Sequence, residues 1–234
     1  MTLKSSNAPS NSKPQEPIDP GSYPGRLVQV IDLGLQPQKF ENEEKPPKNE
    51  IMTTYELADE FMKDEEGNDI EDKPRWVSET FTLNSLNSDR AKSTARYYAL
   101  DPEAKYEGDW SQLLETPASI TIINKAGSGK NKGKVYNNIA TVSAMRPKDA
   151  SRMPELKNPA KFFDMDNPDV DLFLSLPDFI QAKIRSGLEF EGSKLDNLLA
   201  SHKGKPADKK AKKEEKTEES VEDSLPTEDE DGNW

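Results

Sequence analysis

The chain has 234 residues, of which 32% are hydrophobic and 32% charged, so its core must be modest and one domain with additions is expected. It contains no cysteine, which excludes disulfides, thiol catalysis and cysteine-ligated metals and favours a cytoplasmic setting. No apolar run approaches the roughly 18 residues of a membrane span, and the Ser/Asn/Pro-rich residues 1–20 lack the apolar stretch of a signal peptide.

Residues 1–20 are expected to form a disordered arm. Residues 22–35 alternate Leu27, Ile31 and Leu33 with Gln29 and Asp32, the period of a strand. Residues 36–49 carry Pro37, Pro46 and Pro47 and predict a long loop. Residues 50–62 alternate Ile51, Thr53, Tyr55 and Leu57 and end in a Gly/Asn turn, giving a second strand. Residues 75–84 set Val77, Phe81 and Leu83 on one face and Trp76, Ser78, Thr80 and Thr82 on the other, giving a third. Ser88 is a plausible N-cap for a helix over residues 89–100, with Ala91, Ala95, Tyr98 and Ala99 on one side and Asp101–Pro102 as the stop. Trp110, Leu113 and Leu114 suggest a further short helical turn. Strands over residues 117–124 and 135–145 flank a Lys/Gly-rich loop.

Three strands, a helix and two strands is the element order of a five-stranded OB-fold barrel with its helix between strands three and four, so the fold class expected is mainly β. An SH3-like barrel or a small sandwich stays open. The barrel domain spans 21–148. Residues 149–200 form a proline-rich extension with a helix over about 169–186, or two short helices split at Pro177. The remainder, 201–234, is a charge-block tail expected to be disordered. Seven lysines in residues 201–216 precede eight carboxylates in residues 217–234, and residues 1–216 together carry only −4 of the net −12.

Catalysis is hard to build here. The single histidine, His202, falls in the lysine-rich tail, and the carboxylates cluster in loops and tail, so no enzyme, cofactor or metal is expected. The glycine-rich loop 127–133 fits neither a Walker nor a dinucleotide-binding pattern. Its lysines Lys125, Lys130, Lys132 and Lys134, spaced by glycines, read instead as an electrostatic finger for a phosphate chain. Bases stack on exposed aromatics at roughly 1 to 3 kcal/mol each. Tyr55, Trp76 and Tyr136 are the candidates, with Trp76 on a strand face that looks exposed. Arg26, Lys73, Arg75 and Arg146 could add phosphate contacts. The ending Glu228, Asp229, Glu230, Asp231 and Trp234 is an acidic run closed by an aromatic, a ready ligand for a basic, apolar-lined pocket on a partner.

Segments 20–34, 45–57, 75–86 and 133–148, together with the ending DEDGNW, resemble bacteriophage single-stranded DNA-binding proteins of the OB-fold type. The resemblance implies sequence-nonspecific binding of single-stranded DNA in a groove of aromatics and lysines. It also implies recruitment of replication or recombination proteins such as a polymerase, helicase or nuclease through the tail, where Trp234 stands in place of the usual Phe. A homo-oligomer is compatible with this. The competing expectation is a virion or assembly protein whose acidic tail mimics DNA.

Overall fold

The computed structural model describes residues 15–40 and 43–202. Six strands form one sheet: β1 (Gly21–Phe40), β2 (Glu43–Lys63), β3 (Asp69–Thr82), β4 (Pro117–Ala126), β5 (Val135–Ala144) and β6 (Lys161–Phe163). On β4, Ala118, Ile120 and Ile122 are buried while Ser119, Thr121 and Ile123 point the other way; β3 buries Val77, Glu79 and Phe81 in the same manner. Residues 27–31 and 51–57 are buried without interruption, because the central parts of β1 and β2 are covered on both faces.

The strand order is β3-β2-β1-β4-β5, all antiparallel, with β6 adding a short parallel pairing to β1. The length of β1 makes this possible. Its start, Gly21–Arg26, pairs with β4, Gly25–Phe40 pairs with β2, and β6 takes the edge at Gln29–Ile31 beyond the end of β4. Gly25 lies where β2 and β4 both flank β1. A Cβ there would sit 2.9 Å from the Glu56 carbonyl oxygen, closer than a side chain tolerates.

The sheet is open, since β3 and β5 share no ladder. Their edges are bridged by a side chain instead. Arg96 of α1 (Lys92–Leu100) donates Nε to Glu79 Oε1 at 2.6 Å and Nη2 to Glu79 Oε2 at 3.1 Å, with further bonds from Nη2 to the Ile139 and Ala140 carbonyls of β5. Both charges are buried, and a bidentate pair that also satisfies two backbone acceptors is the geometry in which such burial is tolerated.

Two apolar clusters hold the molecule. The first lies inside the curved sheet, where Leu27, Tyr55, Phe81 and Ile120 meet Tyr97 of α1 and the turn Trp110–Leu113. Tyr97 and Trp110 meet edge to face at 5.5 Å between ring centres. The second lies on the back of β1 and β2, where Ile31, Leu33 and Met52 pack against Phe163, Phe173, Ile180, Ile184, Leu195 and Leu199. These come from β6, α3 (Val170–Ser175), α4 (Asp178–Arg185) and α5 (Lys194–His202). A short helix, α2 (Pro147–Ala150), leads into this extension. Among the described residues no helix is long and apolar enough to cross a membrane.

Several expectations are corrected. The proline-rich stretch 36–49 is not a loop but the arms of the β1–β2 hairpin. Gln36 pairs with Lys48 and Gln38 with Lys45, so Pro37 faces Pro46 and Pro47 in a break of the ladder where missing N–H groups cost nothing. Helix α1 starts at Lys92 rather than 89. It buries Ser93, Thr94, Arg96 and Tyr97 while Ala95 and Tyr98 are exposed. The buried polar groups are satisfied: Ser93 Oγ accepts from Asn84 N, and the Thr94 hydroxyl donates to the Ser85 carbonyl. Residues 15–20 of the arm expected to be disordered are ordered, and 1–14 lie outside the described residues. Ile18 is buried, its N–H donates to Asn137 Oδ1, and its carbonyl accepts from Asn137 Nδ2. Helix α5 extends through His202, past the expected start of the tail. Of the two readings of residues 169–186, the pair of short helices split at Pro177 is the one the structure forms, as α3 and α4.

Candidate nucleic-acid interface

The β4–β5 hairpin is set by its register. Lys125 pairs with Tyr136, Ile123 with Asn138, Thr121 with Thr141 and Ser119 with Ser143. The partner face buries Ala118, Ile120, Ile122, Ile139 and Val142, so these eight residues share the outward side. Ser22 of β1 joins them, its hydroxyl 2.9 Å from the Ser119 hydroxyl and 3.4 Å from that of Thr121. The result is a strip of small hydroxyl-bearing residues leading to an exposed Ile123 and then to Lys125 and Tyr136.

The loop beyond is tight. A Cβ on Gly127 would lie 2.9 Å from Tyr136 Cε2, so the glycine lets the Tyr136 ring lie over the hairpin backbone. The Tyr136 hydroxyl oxygen is buried and has no partner among the described residues. Lys125, Lys132 and Lys134 are exposed, and among the described residues no carboxylate pairs with their ammonium groups. The backbone of Lys130 belongs to the turn Gly129–Asn131, and its side chain lies outside the described set.

One signal in the sequence was missed. Residues 116–148 contain no Asp or Glu, in a chain that has 44, and carry five lysines and one arginine. A stretch with uniformly positive charge inside an acidic chain is the local footprint that net charge conceals.

The other expected contacts fall elsewhere. Tyr55 is fully buried in the inner cluster and is no stacking platform; burial, with the Glu79 carboxylate, pushes its hydroxyl well above the ordinary tyrosine range. Its alternation on β2 places it inward, beside Val77 across the strand pair. Trp76 does lie on the face opposite Val77 and Phe81, but it is half-buried, and its Nε1 donates to Glu56 Oε2 at 3.0 Å. Glu56 in turn accepts from Lys157 N and Asn158 Nδ2, so the extension covers the face that the polar pattern suggested was open. Arg26 spends its guanidinium on three carbonyls, those of Pro154, Glu115 and Met153, and pins the extension instead of facing solvent. Arg75 donates to the Glu16 carbonyl at 2.7 Å and holds the N-terminal segment. Lys73 is exposed but follows Glu71 and Asp72 on the acidic β2–β3 hairpin. Arg146 pairs with Asp149 at 2.7 Å on the surface. Glu228, Asp229, Glu230, Asp231 and Trp234 lie outside the described residues.

The structure thus brings Lys125, Lys132, Lys134 and Tyr136 onto one hairpin and separates them from Arg26, Tyr55 and Arg75. Among the described residues no group of three or more His, Asp or Glu is arranged to hold a metal ion. The chain matches no protein-family model and no curated protein.

Proposed function

We propose that the chain is a non-enzymatic, sequence-nonspecific single-stranded DNA-binding protein that takes its strand along the outward face of the β4–β5 hairpin. The observation that carries this reading is the cross-strand pair of Lys125 and Tyr136, with Lys132 and Lys134 beyond it, in a stretch free of carboxylates. Ammonium groups track phosphates while an aromatic face receives a base, and neither reads a base edge, so the contact is indifferent to sequence. The hydroxyls of Ser22, Ser119, Thr121, Thr141 and Ser143 add donors for phosphate oxygens along the same strip.

In this reading the architecture is an OB barrel opened between its third and fifth strands. The order β3-β2-β1-β4-β5, with α1 between β3 and β4 and Arg96 bridging the gap, supports it. The extension packs on the back of β1 and β2 and covers Trp76 of β3, which disfavours the usual groove across strands two and three and points to β4–β5. The acidic ending with Trp234 serves as a peptide ligand for replication or recombination proteins. The reading is tested by fluorescence anisotropy with labelled single-stranded and duplex oligonucleotides at low salt. Preferential binding of single strands, whatever their sequence, is expected; equal or tighter duplex binding, or none at all, overturns it.

A further inference from the structure

At the junction of β1, β6 and the loop before Trp110 lies a groove of about 360 Å³, lined by the apolar side chains of Val30, Ile51, Leu83 and Phe162 and by five carboxylates, of which Asp32 is half-buried and accepts from the Gly34 and Met165 N–H groups. Among the described residues Asp32, Asp109, Asp164, Asp166 and Glu189 line it, and no lysine or arginine does. Among the described residues none of the five forms a salt bridge. Leu83 and Phe162 in its lining are each 37% exposed, so apolar surface and carboxylates without a cation partner stand together among the described residues. Such a groove repels a phosphate chain and suits a basic segment whose aliphatic lysine stems cover the apolar lining while their ammonium groups meet the carboxylates.

We propose that this groove seats the lysine-rich segment 203–213 of the same chain. That segment holds six lysines in eleven residues against one acid, Asp208. Its tether starts in the right place. Helix α5 begins at the groove, where Lys194 Nζ donates to the Asp166 carbonyl at 3.3 Å and to Asn167 Oδ1 at 3.1 Å. Nine helical residues carry the chain about 13 Å away, and eleven extended residues reach back as far as about 36 Å. The neighbouring concentration this implies is on the order of millimolar, against which a separate basic peptide competes poorly. Docked there, the basic block is kept from neutralising the acidic residues 217–234, which are left available to a partner.

The test is zero-length carbodiimide cross-linking of the full chain, prepared as an equal mixture of ¹⁴N- and ¹⁵N-labelled protein and read by mass spectrometry. Amide links from lysines of 203–213 to Asp164, Asp166 or Glu189 are expected within single isotopic species. They should exceed links from the same lysines to the exposed acids Glu65, Glu66 and Glu103 by about fivefold or more, and fall at high salt as the Debye length shortens from about 10 Å toward 3 Å. Groove links of mixed isotope would show that a second copy supplies the segment and overturn the proposal. Links confined to the acids of 217–234, or spread evenly over exposed carboxylates, would overturn it as well. The folded state of each sample is checked by circular dichroism, and the result is independent of whether the β4–β5 face binds DNA.

Discussion

Replacing Lys125, Lys132 and Lys134 together with alanine removes three exposed ammonium groups that form no ion pair among the described residues, so stability should change little. If each neutralises one phosphate, single-strand binding loses a salt-dependence slope of about 0.7 per contact, or about 2 for the three. Over a fourfold rise in salt, from about 50 to about 200 mM, the native protein should then lose about twenty times more affinity than the triple variant. Anisotropy titrations of a labelled oligonucleotide at four or five salt concentrations give the slope directly. A Lys73→Ala control on the acidic β2–β3 hairpin should leave it unchanged. If the triple variant keeps the native slope, these lysines do not touch the DNA and the hairpin is not the interface.

Trp76→Phe should lower unfolding free energy by about 1 to 2 kcal/mol in urea titrations, because it removes a hydrogen bond to the buried Glu56 carboxylate; a loss of DNA affinity without a loss of stability would return Trp76 to the binding face. Arg96→Met leaves Glu79 buried without its partner and should cost about 3 to 5 kcal/mol, part of which Arg96→Met with Glu79→Met recovers; denaturation midpoints of the single and double variants decide it. Asp101 shows how acid should act on the fold. Burial works to raise its carboxyl, but hydrogen bonds from the backbone of Tyr106 and Lys105 and from the Tyr97 hydroxyl outweigh it and hold it below the ordinary range. Its contribution is therefore complete above the unfolded value of about 3.9 and lost as pH falls through the lower folded value. Asp101→Asn should flatten the acid limb of the stability curve, and an unchanged limb would assign acid sensitivity elsewhere.

Strands β3 and β4 were legible because each buries one face, so Val77, Glu79 and Phe81, and Ile120 and Ile122, recur at period two, whereas the three-residue β6 is too short to show a period. The hairpin 36–49 was not, because proline content cannot tell a loop from a ladder broken at the one place where three prolines face each other. The buried face of α1 was misjudged because apolar spacing cannot foresee that Arg96 has Glu79 waiting on β3. Trp76 was misjudged for a related reason. The polarity of Ser78, Thr80 and Thr82 reports their own strand, while the cover over Trp76 comes from residues 157–158, some eighty positions away in the chain. The lysine hairpin was recognised because glycine spacing and charge are local properties. Its isolation from Arg26 and Arg75 depends on what those guanidinium groups hold, which only the fold reveals.

The most direct test of the central claim is a two-dimensional NMR titration of isotope-labelled protein with a short oligothymidine. The account predicts that amide shifts concentrate at Ser119, Thr121, Ile123, Lys125, Lys132, Lys134 and Tyr136, with little change at Tyr55 and Arg26. Shifts confined to β2 and β3, or to the extension, with the β4–β5 hairpin silent, would contradict it.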